Sequence, residues 1–430
     1  MNKTLKKNIV IFGGGTVSHV RSHLALSAPA YGGTARKLHT LCKELIPAME
    51  VEMQLTKMAD HNSAMETNDD VAEQAKKTIA NLNTKVVFFS CAMVDFHGIV
   101  PGRTGRYVPS GKYADRLKSG MEGVFGPETI ELMTNSKVIN LFRAEKGSRK
   151  DIFLVGFKTT CGASEDEQYI AGLDLCKKAS CNLVFANDTK TRVNMVITPE
   201  EARYHVTADR DAALRGLVEM TNFRSHLTFT RSTVVAGDPI PWKSELVPSV
   251  LRSVVDHCVQ SGAYKVGPSG ATVGHFAAKI GPTTFLTSIR KTNFNDIEQN
   301  GLVKIETDGP DRVIAYGAKP SVGGQSQRIV FSEHPDCDCI VHFHCPLRSD
   351  AKNKVPTVSQ REYECGSHQC GQNTSNGLAK FGNLYAVYLD NHGPNIVFNR
   401  NIDPQEVISF IEANFDLEDK TGGPVSLEDE

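Results

Sequence analysis

His334-Pro-Asp-Cys-Asp-Cys-Ile-Val-His-Phe-His-Cys-Pro346 is the stretch on which the fold of the rear half turns. A Pro-Asp turn leads into an apolar run, and because successive side chains of a strand point to opposite faces, His342 and His344 share one face. Their Cα atoms then stand about 7 Å apart, close enough for both imidazoles to grip one ion. Farther on, Leu384–Leu389 reads as another strand and ends in Asp390-Asn391-His392-Gly393-Pro394, which offers a third imidazole. Three protein ligands with one open position is how catalytic zinc is held, since water or a substrate oxygen must take the remaining place. A pair of half-buried histidines with no metal is the alternative on these residues alone.

Working outward, Leu246–Ser261 has a helical pattern, and Thr283–Ile289 and Val303–Glu306 read as strands, which makes the rear half a second α/β or α+β domain. Before it, Arg231–Glu245 (RSTVVAGDPIPWKSE) is punctuated by Pro239 and Pro241 and is expected to link two domains, 1–238 and 239–430. In the front half, the apolar runs Asn8–Phe12, Lys85–Ser90, Ile152–Phe157 and Leu183–Ala186 alternate with helix-like segments such as Thr34–Leu45. Strands that are continuously apolar, with helices between them, predict a doubly wound parallel sheet covered on both faces, an α/β Rossmann-like domain. The tail from Asp416 to Glu430 is acidic, carries Gly-Gly-Pro, and is expected to fray.

A chain of 430 residues suits two domains, each burying its own core. Lys plus Arg number 48 against 49 for Asp plus Glu, so no strong field draws the chain to nucleic acid or to a membrane surface. The apolar run after the basic N-terminus, Ile9–Phe12, is too short for a signal peptide, and no stretch reaches the roughly 18 apolar residues of a membrane span. Eleven cysteines with no export signal point to the reducing cytoplasm and to free thiols. Cys337, Cys339, Cys345, Cys365 and Cys370 raise a zinc-thiolate cluster as a rival, but their spacing is not that of a structural zinc site.

HPDCDCIVHFHCP and the later YAVYLDNHGP resemble the class II aldolases, ribulose-phosphate 4-epimerases and their adducin-like relatives, in which a Pro-Asp turn leads into Val-His-x-His and a later strand ends in His-Gly. GHFAAKIG with TTFLTSIRKTNFNDIEQNGLV, and Lys319-Pro320-Ser321, extend the resemblance over most of residues 245–415. It implies a class II aldolase-like α/β domain with Zn2+ or another divalent transition metal on His342, His344 and His392, and a substrate phosphate near Ser269, Thr287, Arg290 and Ser321. The chain departs from the family at His275, where relatives carry Asn after glycine, and at Gly323, the register of the aldolase glutamate base. Proton transfer therefore needs another group, and Glu364 and His368, on what should be a loop near the metal, are the choice among Glu333, Glu362, Tyr363, Glu364 and His368.

In the front half, Gly13-Gly14-Gly15-Thr16 after the first strand reads as a turn whose amides approach a phosphate, although it is neither Gly-x-Gly-x-x-Gly nor a Walker loop. With Tyr31-Gly-Gly-Thr-Ala, Ser90-Cys-Ala-Met-Val-Asp-Phe, Gly111–Ser119, Leu154-Val-Gly-Phe-Lys-Thr-Thr and Phe185-Ala-Asn-Asp, it resembles phosphopantothenoylcysteine synthetase over residues 8–190. The resemblance implies a nucleoside triphosphate, CTP or ATP, held by Gly14, Gly15 and Thr16 at its phosphates, Asp95 at its sugar or base, Lys118 at its charge, and Phe157, Asn187 and Asp188 around the base. Tyr31 and Leu26 stand where that family places its lysine and asparagine.

The two resemblances together imply a fused enzyme: a nucleotide-binding ligase-like domain ahead of a metal-dependent lyase or epimerase acting on a phosphorylated or otherwise anionic hydroxy-carbonyl compound. They also imply a homo-oligomer. Alternatives are a non-catalytic adducin-like scaffold or nucleotide sensor with a structural metal, and a dehydratase of the same superfamily.

Overall fold

A computed structural model of the chain describes residues 7–100, 110–116, 129–267, 269–321, 324–351 and 354–424. Two compact units emerge, and the division does not fall at a single point of the chain. Residues 162–173 and 197–206 belong with the rear unit, which otherwise runs from His226.

The front unit is built on β1 (Asn8–Gly15), β2 (Glu50–Leu55), β3 (Thr84–Ala92), β4 (Phe153–Thr160) and β5 (Leu183–Asp188). They pair in parallel in the order β5-β4-β3-β1-β2. Every residue of β1 and of β5 is buried, as unbroken apolar runs require when helices cover both faces. Helices α1 (Gly33–Leu45), α2 (Asn68–Ala80) and α3 (Arg210–Arg224) belong to this unit. α2 starts at a capping box in which the Thr67 hydroxyl accepts the Asp70 amide and the Asp70 carboxylate accepts that of Thr67, while Asp209 caps α3.

The rear unit is a mainly antiparallel sheet. Its strands are β6 (Arg231–Val235), β7 (His275–Lys279), β8 (Thr284–Ser288), β9 (Leu302–Thr307), β10 (Arg312–Tyr316), β11 (Cys339–His342), β12 (Leu384–Leu389) and β13 (Gly393–Phe398). They are ordered β6-β10-β9-β8-β7-β11-β13-β12, with only the β6–β10 pair of this run parallel. On one face, α4 (Ser249–Gln260) and α7 (Pro404–Asn414) pack with Phe276, Val341, Ile396 and Trp242 in a continuous apolar core. The other face carries Ala277, Ile340 and Val397 against Val330 and Phe331 of α5 (Gly324–Glu333), and α6 (His368–Gly377) adjoins α5.

The segment expected to be a linker is partly built into this unit. Ser-Thr-Val-Val makes a β-branched strand that pairs with β10, and Trp242 is buried with its indole N–H donated to Asp256. The tail is not frayed through Pro424 either. Thr421 N–H donates to the His344 carbonyl, and the Lys420 ammonium meets the Glu201 carboxylate at 3.1 Å, with side chains only 6% and 7% exposed. Local composition, which suggested disorder, is overridden by these distant partners.

Candidate metal centre

His342 closes β11 and His344 lies two residues on, so strand alternation puts both rings on one side. His392 reaches them from the turn between β12 and β13. That turn depends on Gly393, whose φ is 144° and whose position would set an added Cβ 2.1 Å from the Phe343 carbonyl oxygen. Only glycine lets β13 begin this close to β11. The three ring centroids stand 4.6 to 5.0 Å apart, and one ligating nitrogen from each lies within 4.8 Å of the others.

All three residues are at most 4% exposed. His342 donates its Nδ1 proton to the Pro394 carbonyl at 2.7 Å, which fixes the tautomer and leaves an Nε2 lone pair. That Nε2 is buried and has no hydrogen-bond partner. Burial lowers the His342 pKa to about 4, with the Pro394 bond opposing it, so the ring is neutral at ordinary pH. Neutral, buried, lone-pair imidazoles are what a divalent transition metal takes. Tetrahedral bonds of about 2.1 Å separate ligand nitrogens by about 3.4 Å, so the rings need close by no more than about 1.4 Å to share a cation. The donor set fits.

Beside it stands His275, directly opposite His342 in the β7–β11 pair, with ring centroids 4.7 Å apart. It is 4% exposed, and burial together with the neighbouring His342 holds its pKa well below the ordinary value. Its Nδ1 meets the side-chain amide of Gln327, whose Oε1 is 3.1 Å from the Thr287 hydroxyl. The sequence marked His275 only as a departure and passed over Gln327. The available signal was register: His275 begins an apolar strand, as His342 ends one.

Of the remaining rear candidates, Thr287 is tied to His275 through Gln327. Thr287 is fully buried, and its hydroxyl also approaches the Phe276 carbonyl at 3.3 Å. Ser321 N–H donates to the Ser288 carbonyl and Arg290 N–H to that of Lys319, while the Ser269 and Arg290 side chains are exposed. Gly323 lies outside the described residues. His368 opens α6 with its Nε2 2.9 Å from the Thr230 hydroxyl and its Nδ1 3.8 Å from Asp311. Glu364 is half-buried and its carbonyl accepts the Ser367 N–H. All five nearby cysteines are free, and burial pushes the Cys337 and Cys345 thiols to about 12, which opposes thiolate ligation.

In the front unit, the glycine run continues β1 rather than turning. Gly15 N–H donates to the Ala30 carbonyl and Thr16 N–H to that of Ala92, and a Cβ at Gly14 or Gly15 would strike Thr56 or Ala28. Asp95 is exposed and paired with Lys137, and Lys118 lies outside the described residues. Phe157 packs on Phe185 with centroids 5.6 Å apart, and Asn187 accepts from Thr159. Asp188 accepts from Thr160 and from the Lys190 and Thr191 amides, closing a turn. A cleft of about 570 Å³ opens among Val17, His19, Glu66, Asn68, His97 and Lys112. Among the described residues no helix is long and apolar enough to cross a membrane.

No curated protein matches the chain. Among solved structures, the DNA/pantothenate metabolism flavoprotein of Streptococcus pneumoniae is similar at 18% identity, covering 49% of this chain and 96% of that one, with a TM-score of 0.39. An L-fuculose 1-phosphate aldolase is similar at 14% identity over 39% of this chain and 85% of its own, TM-score 0.29. An aldolase II superfamily protein from Pseudomonas syringae stands at 16%, 41%, 75% and 0.30 in the same order. None of these three reaches a TM-score of 0.5. Residues 261–403, which contain His275, His342, His344 and His392, match the model of the class II aldolase and adducin N-terminal domain family.

Proposed function

We propose that the rear unit is a metal-dependent lyase or epimerase of the class II aldolase type, acting on an anionic hydroxy-carbonyl compound, with His342, His344 and His392 holding a divalent transition metal. The buried Nε2 of His342, which has no hydrogen-bond partner within the protein, carries the reading: leaving such an atom unsatisfied costs about 1–3 kcal/mol, which a bound cation recovers. A bound cation would supply Lewis acidity, polarising adjacent substrate oxygens and loosening the neighbouring C–H or C–C bond. The chain itself supplies the rest. Pro394 orients His342, Gly393 lets His392 approach, and burial keeps bulk water from the imidazoles.

Metal analysis of the purified protein after zinc reconstitution tests this. About one zinc per chain is expected, lost in a His342→Ala/His344→Ala double variant. A double variant that keeps its zinc, or a wild-type protein that takes none, sinks the assignment. Catalysis is then sought as deuterium uptake from D2O next to the carbonyl of candidate hydroxy-carbonyl phosphates, with Glu364→Gln and His368→Ala testing proton transfer.

For the front unit we infer a nucleotide ligand, CTP or ATP. β2 and β3 flank β1 on opposite sides, and ligands of open parallel sheets sit outside the carboxyl ends of the strands at such a reversal. Calorimetric titration with each nucleotide checks it; no heat with either removes the reading. A cytoplasmic homo-oligomer completes the proposal, and sedimentation tests the assembly.

A further inference from the structure

We propose that His275 is a fourth functional side chain of the histidine centre, an imidazole whose Nδ1 accepts from a Thr287–Gln327 relay and whose Nε2 keeps the proton, ready to donate to an oxygen of the substrate. Only the substrate contact rests on the metal-dependent reading; the relay stands on hydrogen bonds within the chain.

Thr287, Gln327 and His275 are 0%, 1% and 4% exposed. Packing alone would be met by apolar side chains here, and a buried amide is costly unless both its ends are bonded. Both are. The Thr287 hydroxyl donates to Gln327 Oε1 at 3.1 Å, closer than its other acceptor, the Phe276 carbonyl at 3.3 Å. The amide's oxygen is thereby turned to Thr287 and its N–H to His275 Nδ1. A ring nitrogen that accepts a hydrogen bond carries no proton, so with Nδ1 accepting from Gln327 the His275 proton sits on Nε2.

The facing ring is set the other way. His342 has its proton on Nδ1, donated to Pro394, and a lone pair on Nε2. Two imidazoles with centroids 4.7 Å apart thus carry opposite tautomers: one offers a lone pair to a cation, the other an N–H to an anionic oxygen. His275 is therefore a donor rather than a further ligand, and Gln327 and Thr287 are positioning residues acting through it.

The relay is read without metal or substrate by imidazole 15N–1H correlation spectra of the full-length protein labelled at histidine, with His275 assigned through His275→Asn. The expected result is a protonated Nε2 and a bare Nδ1, becoming a tautomer mixture in Gln327→Leu and in Thr287→Val. A protonated Nδ1 in the wild type, or an unchanged pattern in both variants with wild-type tryptophan emission, overturns the relay. For the substrate contact, acetohydroxamate, whose adjacent oxygens mimic an enediolate, is titrated into zinc-loaded protein. His275→Ala should weaken it about tenfold, the worth of one hydrogen bond to a charged oxygen, with zinc stoichiometry unchanged. His275→Asn, which keeps an N–H, should recover part of that loss. Unchanged affinity in a zinc-loaded His275→Ala protein removes the donor role. A wild type that binds no zinc defeats the metal reading while leaving the tautomer result intact.

Discussion

Zinc added to metal-free protein should raise the melting temperature of the rear unit, and His342→Ala should abolish the rise. A ligand that binds only the folded state at 100 times its Kd stabilises by about 2.7 kcal/mol. For a domain of about 150–250 residues, each kcal/mol moves the melting point by about 2–4 °C, so the expected shift is about 5–11 °C. The assay is built into the chain: Trp242 is its one tryptophan, 1% exposed in the rear core, so its emission follows this unit alone. In His342→Ala two nitrogens remain, the Pro394 carbonyl loses its donor, and zinc at the same concentration should move the transition by less than about 2 °C. An equal shift in variant and wild type would mean that the metal binds elsewhere. No shift in a wild type shown to carry zinc would mean that the site is not coupled to folding. Either result refutes the reasoning.

Acid should weaken the metal-free protein. His342 titrates near 4 when folded against 6.5 ordinarily, so between those values the unfolded chain binds more protons and stability falls as pH drops. About 2 kcal/mol should be gone at pH 5, read as a lower urea midpoint, with a shallower pH slope in His342→Gln; identical slopes would count against it. Gly393→Ala combines a φ of 144° with a Cβ 2.1 Å from the Phe343 oxygen, and strain of about 1–3 kcal/mol together with loss of zinc should follow, whereas a variant that melts and binds normally would show that His392 does not depend on this turn. Lys420→Ala takes an ammonium away from the buried Glu201 carboxylate and should lower the urea midpoint, with part of the loss recovered by Lys420→Met/Glu201→Met; an unchanged midpoint in the single variant would show the pair to be solvated.

The three clustered histidines were legible because each carries a local mark of its own, although His392 lies 50 residues beyond His342. A two-residue repeat on one strand brings His342 and His344 together, and the His-Gly-Pro strand end marks His392. What escaped depends on pairs far apart in the chain. His275 and Gln327 are 52 residues apart, and no local pattern joins an imidazole on a strand to an amide on a helix. The Gly13–Thr16 run shows the converse: locally it has the composition of a phosphate turn, but Ala30 and Ala92 take the amides of Gly15 and Thr16, and the glycines make room for Ala28 and Thr56. The parallel front sheet was readable from unbroken apolar runs, whereas the antiparallel order of the rear sheet was not, because crossovers leave no mark in periodicity.

Segments 162–173 and 197–206, though embedded in the front half of the sequence, fold with the rear unit and bring Tyr169 and Glu201 to it. A rear fragment starting at residue 226 would therefore lack the Glu201 carboxylate that meets the Lys420 ammonium. No one proteolytic cut can yield both halves intact. Producing the two units separately would require grafting these two short segments onto the severed rear piece.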